Sequence, residues 1–169
     1  MADPKLYGLG ILIAIASILN FVGVFTPCWL SGKYVDYAGI ITKECAGIVP
    51  FYTTERPWLA ASSWLMFITV AFTVLTIFVY FIAQAKVLQN GYCCGTRKWF
   101  NFISLFSGLI VLMTITAVII LGINFSRYNR LTDLQIILGY SAWISVGAAV
   151  IFLGVSALSG FISHRECCD

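Results

Sequence analysis

Apolar residues gather in four long blocks along this chain. Charge-free runs cover residues 6–32, 58–85, 99–126 and 134–163, each longer than the roughly 20 residues a helix needs to cross about 30 Å of hydrocarbon. All prolines (Pro4, Pro27, Pro50 and Pro57) fall outside the block centres, where a missing backbone N–H costs least. The pattern predicts spans over about 7–25, 58–82, 99–123 and 138–162. Outer loops are expected over about 26–57 and 124–137, an inner loop over about 83–98, and a single domain over 1–169. The first block is longer than the apolar stretch of a signal peptide, and Pro27 and Trp29 stand where a small-residue cleavage site would be, so it reads as a retained span.

Within the first outer loop the pattern changes. Tyr34-Val35-Asp36-Tyr37 and Gly47-Ile48-Val49-Pro50-Phe51-Tyr52 place β-branched and aromatic residues between turn formers, which predicts a small sheet. The fold class expected is therefore an all-α membrane protein, a four-transmembrane-helix bundle with a small β-containing first extracellular loop. Composition agrees: 60% of residues are hydrophobic and 10% charged, against about 25% charged in soluble domains. The surplus apolar surface needs membrane lipid around it.

Sidedness is nearly balanced. Lys5, Lys86, Arg97, Lys98 and Arg165 lie with the termini, while Lys33, Lys43, Arg56, Arg127 and Arg130 lie on the other side. The short 86–98 connection is cationic without an acid, whereas the first loop dilutes its cations with Asp36, Glu44 and Glu55; this favours cytoplasmic termini. Cysteine placement points the same way. Cys28 and Cys45 share the outer side, where a disulfide can persist, and the pairs Cys93–Cys94 and Cys167–Cys168 flank span ends on the inner side, as S-palmitoylation requires. Cys28 and Cys45 have no other outer cysteine to pair with, so a disulfide between them is expected.

Several function classes drop out. The scattered cations form no footprint for nucleic acid, and no ionisable residue marks an ion or proton pathway inside the spans, where Gln84 near the end of the second is the polar residue noted. His164, the sole histidine, stands at the terminal edge beside Arg165 and Glu166 with no nucleophile near it in sequence. No paired carboxylates, Ser/His/Asp set, phosphate loop or zinc-spaced Cys/His cluster is present. The expectation is no enzyme, no metal and no cofactor. Tyr7, Trp29, Trp58, Tyr80, Tyr92, Trp99, Tyr128 and Tyr140 sit near predicted span ends and read as headgroup-zone anchors, with packing of the first loop onto the bundle as the other role open to Trp29. Small residues recur every fourth position: Gly10 and Ala14; Ser104 and Gly108; Ser141, Ser145 and Ala149; Ser156 and Gly160. They suit close helix contact within the bundle or with a partner, and the sequence leaves both open. Asn124-Phe125-Ser126 is an N-glycosylation sequon too close to the end of span three for efficient modification.

Thr26-Pro27-Cys28-Trp29-Leu30 after span one, Gly39-Ile40-Ile41 leading to Cys45, Arg56-Pro57-Trp58-Leu59-Ala60-Ala61 entering span two and Gly139-Tyr140-Ser141-Ala142-Trp143 entering span four together resemble the claudin superfamily. That superfamily includes the peripheral-myelin-protein group and auxiliary subunits of channels and receptors. The resemblance covers nearly the whole chain. It departs where Ile41 replaces the family's loop tryptophan, and where Thr53, Thr54 and Glu55 fill the stretch that holds the family's second loop cysteine. The resemblance implies a plasma-membrane protein acting through contacts at cell–cell junctions or as an auxiliary subunit of an ion channel or receptor. Its partners would be a membrane protein in cis or in trans, or further copies in a homo-oligomer. Acylation of Cys93, Cys94, Cys167 or Cys168 is also expected on that likeness. The first loop's aromatics suit a binding surface, and Tyr34, Tyr37, Phe51 and Tyr52 are the expected partner-binding residues. A MARVEL-like lipid-organising or trafficking tetraspan and an oligomeric pore remain alternatives. Cys93-Cys94-Gly95 matches the tetraspanin tripeptide in letters only, because it lies between spans two and three.

Overall fold

A backbone inside lipid must satisfy its own N–H and C=O groups, so each apolar block closes into a helix. The computed structural model describes residues 4–35, 41–48, 56–91, 94–131 and 135–165. The helices are α1 (Pro4–Phe25), α2 (Pro57–Asn90), α3 (Cys94–Leu131) and α4 (Tyr140–Arg165), and all four are long and apolar enough to cross a membrane. Pro57 opens α2 at a position whose N–H has no helical partner in any case. Gly91, at φ 69°, ends α2 by donating its N–H to the Val87 carbonyl at 2.9 Å. α2 continues to Asn90 and α3 to Leu131, past the expected span ends at 82 and 123. At 1.5 Å per residue they measure about 51 and 57 Å, so both project beyond the hydrocarbon layer.

The helices pack as a ring in which α1 meets α4 and α2, and α3 meets α2 and α4. Polarity is arranged for lipid. Large apolar chains such as Ile11, Ile18, Phe78, Phe81, Leu112, Ile123 and Val150 face outward, whereas Ser62, Thr69, Thr73, Thr76, Ser107, Thr114, Ser145 and Ser159 are buried. Several buried hydroxyls are satisfied locally: Thr73 donates to the Thr69 carbonyl and Thr76 to the Phe72 carbonyl, each at 2.8 Å. These side chains act as small packing units rather than as a polar path.

The four-residue spacing of small residues serves the bundle. Ser104 and Ser156 each donate to the other's carbonyl at 3.0 Å, tying α3 to α4. Gly108 faces Ser156 and Gly160 faces Ser104, so that a methyl group at either glycine would just meet the serine hydroxyl at van der Waals distance. Gly23 lies against Ser145 of α4, and Gly10 lies beneath the Tyr80 ring, in each case so closely that a methyl group would overlap. Ala14, by contrast, is exposed. Asn20 is buried between α1 and α2, where its Nδ2 donates to Thr73 Oγ1 at 2.8 Å.

Strands β1 (Leu30–Val35), β2 (Ile41–Ala46) and β3 (Gln135–Leu138) form an antiparallel sheet in the order β2-β1-β3. The first outer loop was expected to hold the sheet alone. Instead a third strand comes from the segment before α4, with Leu30 opposite Leu138 and Lys33 opposite Gln135. The apolar run Gln135-Ile136-Ile137-Leu138 merges in sequence with the fourth block, and only Gly139 separates strand from helix. One apolar cluster, built on Val24, Trp29, Ile48, Met66, Ala117, Leu121 and Ala142, lies beneath the sheet. Another gathers the opposite ends of all four helices around Leu6, Ala83, Phe100 and Ile162.

Candidate interaction surface

The sheet is held to the bundle by the turn that leaves α1. Trp29 is fully buried (0% exposed) in the cluster beneath the sheet, so of its two expected roles it packs the loop onto the bundle and is not a headgroup anchor. Its Nε1 donates to the Gly23 carbonyl at 2.8 Å, which gives the ring's one polar atom a partner in the last turns of α1. Tyr80 departs from the anchor expectation in the same way: it is buried, and its hydroxyl donates to the Leu6 carbonyl at 3.2 Å. Trp143 and Trp64 are instead exposed at the bundle surface, at 65% and 60%, where their rings suit the membrane interface.

The start of α4 closes on the same turn. The Gly139 N–H donates to the Trp29 carbonyl at 2.8 Å and the Ser141 N–H to the Cys28 carbonyl at 3.2 Å. Ser141 Oγ accepts from Thr26 Oγ1 at 2.7 Å and from the Cys28 N–H at 3.3 Å. A side chain at Gly139 would overlap the Cys28 carbonyl, so the close approach requires glycine there. On the other flank the Trp29 N–H donates to the Ala46 carbonyl at 3.0 Å, and a disulfide joins Cys28 to Cys45 with Cα atoms 4.7 Å apart. Hydrogen bonds, a buried ring and a covalent bond thus fasten the segment after α1 and the segment before α4 to one point at the mouth of the bundle.

Of the expected partner-binding residues, Tyr34 stands in β1 opposite Thr42, while Tyr37, Phe51 and Tyr52 lie outside the described residues. Of the acylation candidates, Cys94 is the first residue of α3, and Cys93, Cys167 and Cys168 lie outside the described residues. Sequence reasoning missed Gly139 and Ser141 as clamp residues. Their signal was a glycine and a serine ahead of an apolar helical block, a common helix-start pattern. It also passed over Asn20, an uncharged polar residue inside the first span. Asn20 Oδ1, Ser107 Oγ and Ser145 Oγ are buried without a partner among the described residues. No group of three His, Cys, Asp or Glu that could hold a metal occurs among the described residues.

These features define a multi-pass membrane protein in which two segments between the helices form a sheet locked onto one end of a four-helix bundle. The chain belongs to the claudin-like tight junction protein family, whose sequence model matches residues 1–169. Comparison with curated protein sequences returns no match.

Proposed function

We propose that this protein acts without catalysis, through protein–protein contacts at cell–cell junctions, and that the outer sheet makes those contacts. The observation that carries the reading is the clamp. Trp29, the Cys28–Cys45 disulfide and the Gly139–Ser141 hydrogen bonds hold the sheet rigidly, while its edge strands β2 and β3 take no further strand among the described residues. A preorganised surface loses little freedom on binding, and unpaired strand edges can recruit another chain. Tyr34, Tyr37, Phe51 and Tyr52 supply aromatic contacts, as hot spots commonly do. The proposed setting is the plasma membrane with both termini in the cytoplasm, where acylation of Cys93, Cys94, Cys167 or Cys168 would anchor the inner ends. Membership in a family of claudin-like tight junction proteins supports the junctional setting.

The test is a mixed culture of two cell populations carrying differently tagged protein. The wild-type chain should concentrate where two expressing cells meet, and alanine at Tyr34, Tyr37, Phe51 and Tyr52 should abolish that enrichment with surface expression unchanged. Uniform membrane staining of the wild type would instead favour an auxiliary subunit acting in cis, or a lipid-organising role.

A further inference from the structure

The buried hydroxyls of α1 and α2 give their protons to their own helices. Ser17 donates to the Ile13 carbonyl at 2.6 Å, Thr69 to the Met66 carbonyl at 2.7 Å, and Thr73 and Thr76 to the Thr69 and Phe72 carbonyls at 2.8 Å. Asn20, 1% exposed, gives an N–H to Thr73 Oγ1. Its Oδ1 therefore needs a donor that none of these hydroxyls has left, and it has no partner. Turning the amide over does not help, because Thr73 would have to leave the Thr69 carbonyl to donate to the oxygen, and the amide nitrogen would then be the unpartnered atom. Ser145 on α4 breaks the back-bonding pattern. Its Oγ is fully buried, has no partner even in its own helix, and lies against Gly23 of α1.

The packing of α1 on α4 brings these two groups to one place. The helices run antiparallel, since Thr26 meets Ser141 at one end and Leu6 shares a cluster with Ile162 at the other. Gly23 follows Asn20 by three residues and so lies on the same face of α1. The Ser145 oxygen is thus about one helical turn from Asn20, on the side toward the sheet. One turn further along α4, level with Asn20, stands buried Ala149, a side chain too short to fill the space that a larger residue would take. On the side away from the sheet Ala16, Ile110, Val111 and Phe152 form an apolar cluster. Ser107, whose Oγ is also without a partner, precedes Ile110 on α3 and lies beyond that cluster. A carbonyl oxygen and a hydroxyl buried inside a bundle within lipid are costly when unpaired. One needs a proton and the other has one to give, and water can serve both.

We propose that the bundle binds water between α1 and α4, where it donates to Asn20 Oδ1 and accepts from the Ser145 hydroxyl. The apolar cluster closes the site on the side away from the sheet, so the water is held rather than conducted. The assignment is independent of the junctional role. The full-length protein, isotope-labelled at asparagine, is placed in phosphatidylcholine nanodiscs, and rotating-frame Overhauser transfer from water to the side-chain amide protons is recorded. The Asn20 signal is assigned by its loss in Asn20→Leu, and the sign of the transfer separates bound water from proton exchange. A direct water cross-peak is expected at Asn20. Ser145→Ala should abolish it and lower the melting temperature by about 2–4 °C, the shift that one lost hydrogen bond produces in a chain of this length. Ser107→Ala, beyond the apolar cluster, should leave the cross-peak as it is in the wild type. No water cross-peak at Asn20 in a wild-type protein that melts cooperatively would overturn the proposal. A higher melting temperature in Ser145→Ala would also overturn it, because removing a dry, unpaired hydroxyl stabilises the fold. Equal loss of the cross-peak in Ser107→Ala would overturn the site's placement and the proposal with it.

Discussion

Replacing Trp29 by alanine tests whether the buried plug holds the outer sheet. The ring is wholly buried in the cluster that also holds Val24, Ile48, Met66, Ala117, Leu121 and Ala142, and its neighbour Cys28 is fixed by the disulfide and by Ser141. The site therefore cannot collapse to fill the space, and truncation falls in the range of about 3–5 kcal/mol typical of large aromatic cavities. Losing the Nε1 bond to the Gly23 carbonyl adds about 1 kcal/mol. A total of about 4–6 kcal/mol is comparable with the whole stability of many domains, so Trp29→Ala should melt well below the wild type in detergent and reach the cell surface poorly. Trp29→Phe should lose only about 1–2 kcal/mol, because it keeps most of the packing and Thr26 Oγ1 still lies 3.4 Å from the same carbonyl. Trp143→Ala, at an exposed ring, is the comparison. If Trp29→Ala melted within a degree or two of Trp143→Ala, the plug would be an interface anchor and the reasoning would fail.

The remaining predictions concern modification. In intact, unreduced cells Cys28 and Cys45 should resist maleimide, and replacing both by serine should lower stability by roughly 3 kcal/mol, the loop-closure value for their separation of 17 residues. Acyl exchange should find a hydroxylamine-sensitive group on Cys93–Cys94 or Cys167–Cys168, and its absence from both pairs would rule out acylation. Asn124 should remain unglycosylated: it lies within α3, and its Nδ2 donates to the Ile120 carbonyl at 2.8 Å. A glycosidase-sensitive mobility shift that disappears in Asn124→Gln would refute this.

The four helices were legible because a bilayer demands long apolar runs, and Pro57 and Gly91 mark ends that the structure uses. What the runs conceal is direction around each helix. In lipid every face can be apolar, so hydropathy separates inside from outside poorly: Tyr80 reads as an interface anchor although it is buried, and for Trp29, also buried, the sequence leaves an anchor and a packing role open. Size and hydroxyl content served better, since the spaced pairs at Ser104 and Ser156 do meet. β3 was hidden because four apolar residues next to a span fit a strand or a helical turn equally well. The clamp could not be read because it joins Trp29 to Gly139, which are remote in sequence and brought together by the packing of α1 on α4. Asn20 was visible as a polar residue within a span, yet its partner Thr73 follows only from the α1–α2 contact.

The claim that the outer sheet binds another protein is tested most directly by purification from crosslinked cells in mild detergent, comparing the wild type with alanine at Tyr34, Tyr37, Phe51 and Tyr52. The account predicts a membrane protein, or further copies of this chain, recovered with the wild type and lost from the variant at equal surface level. Equal recovery with both, or no partner with either, would contradict it.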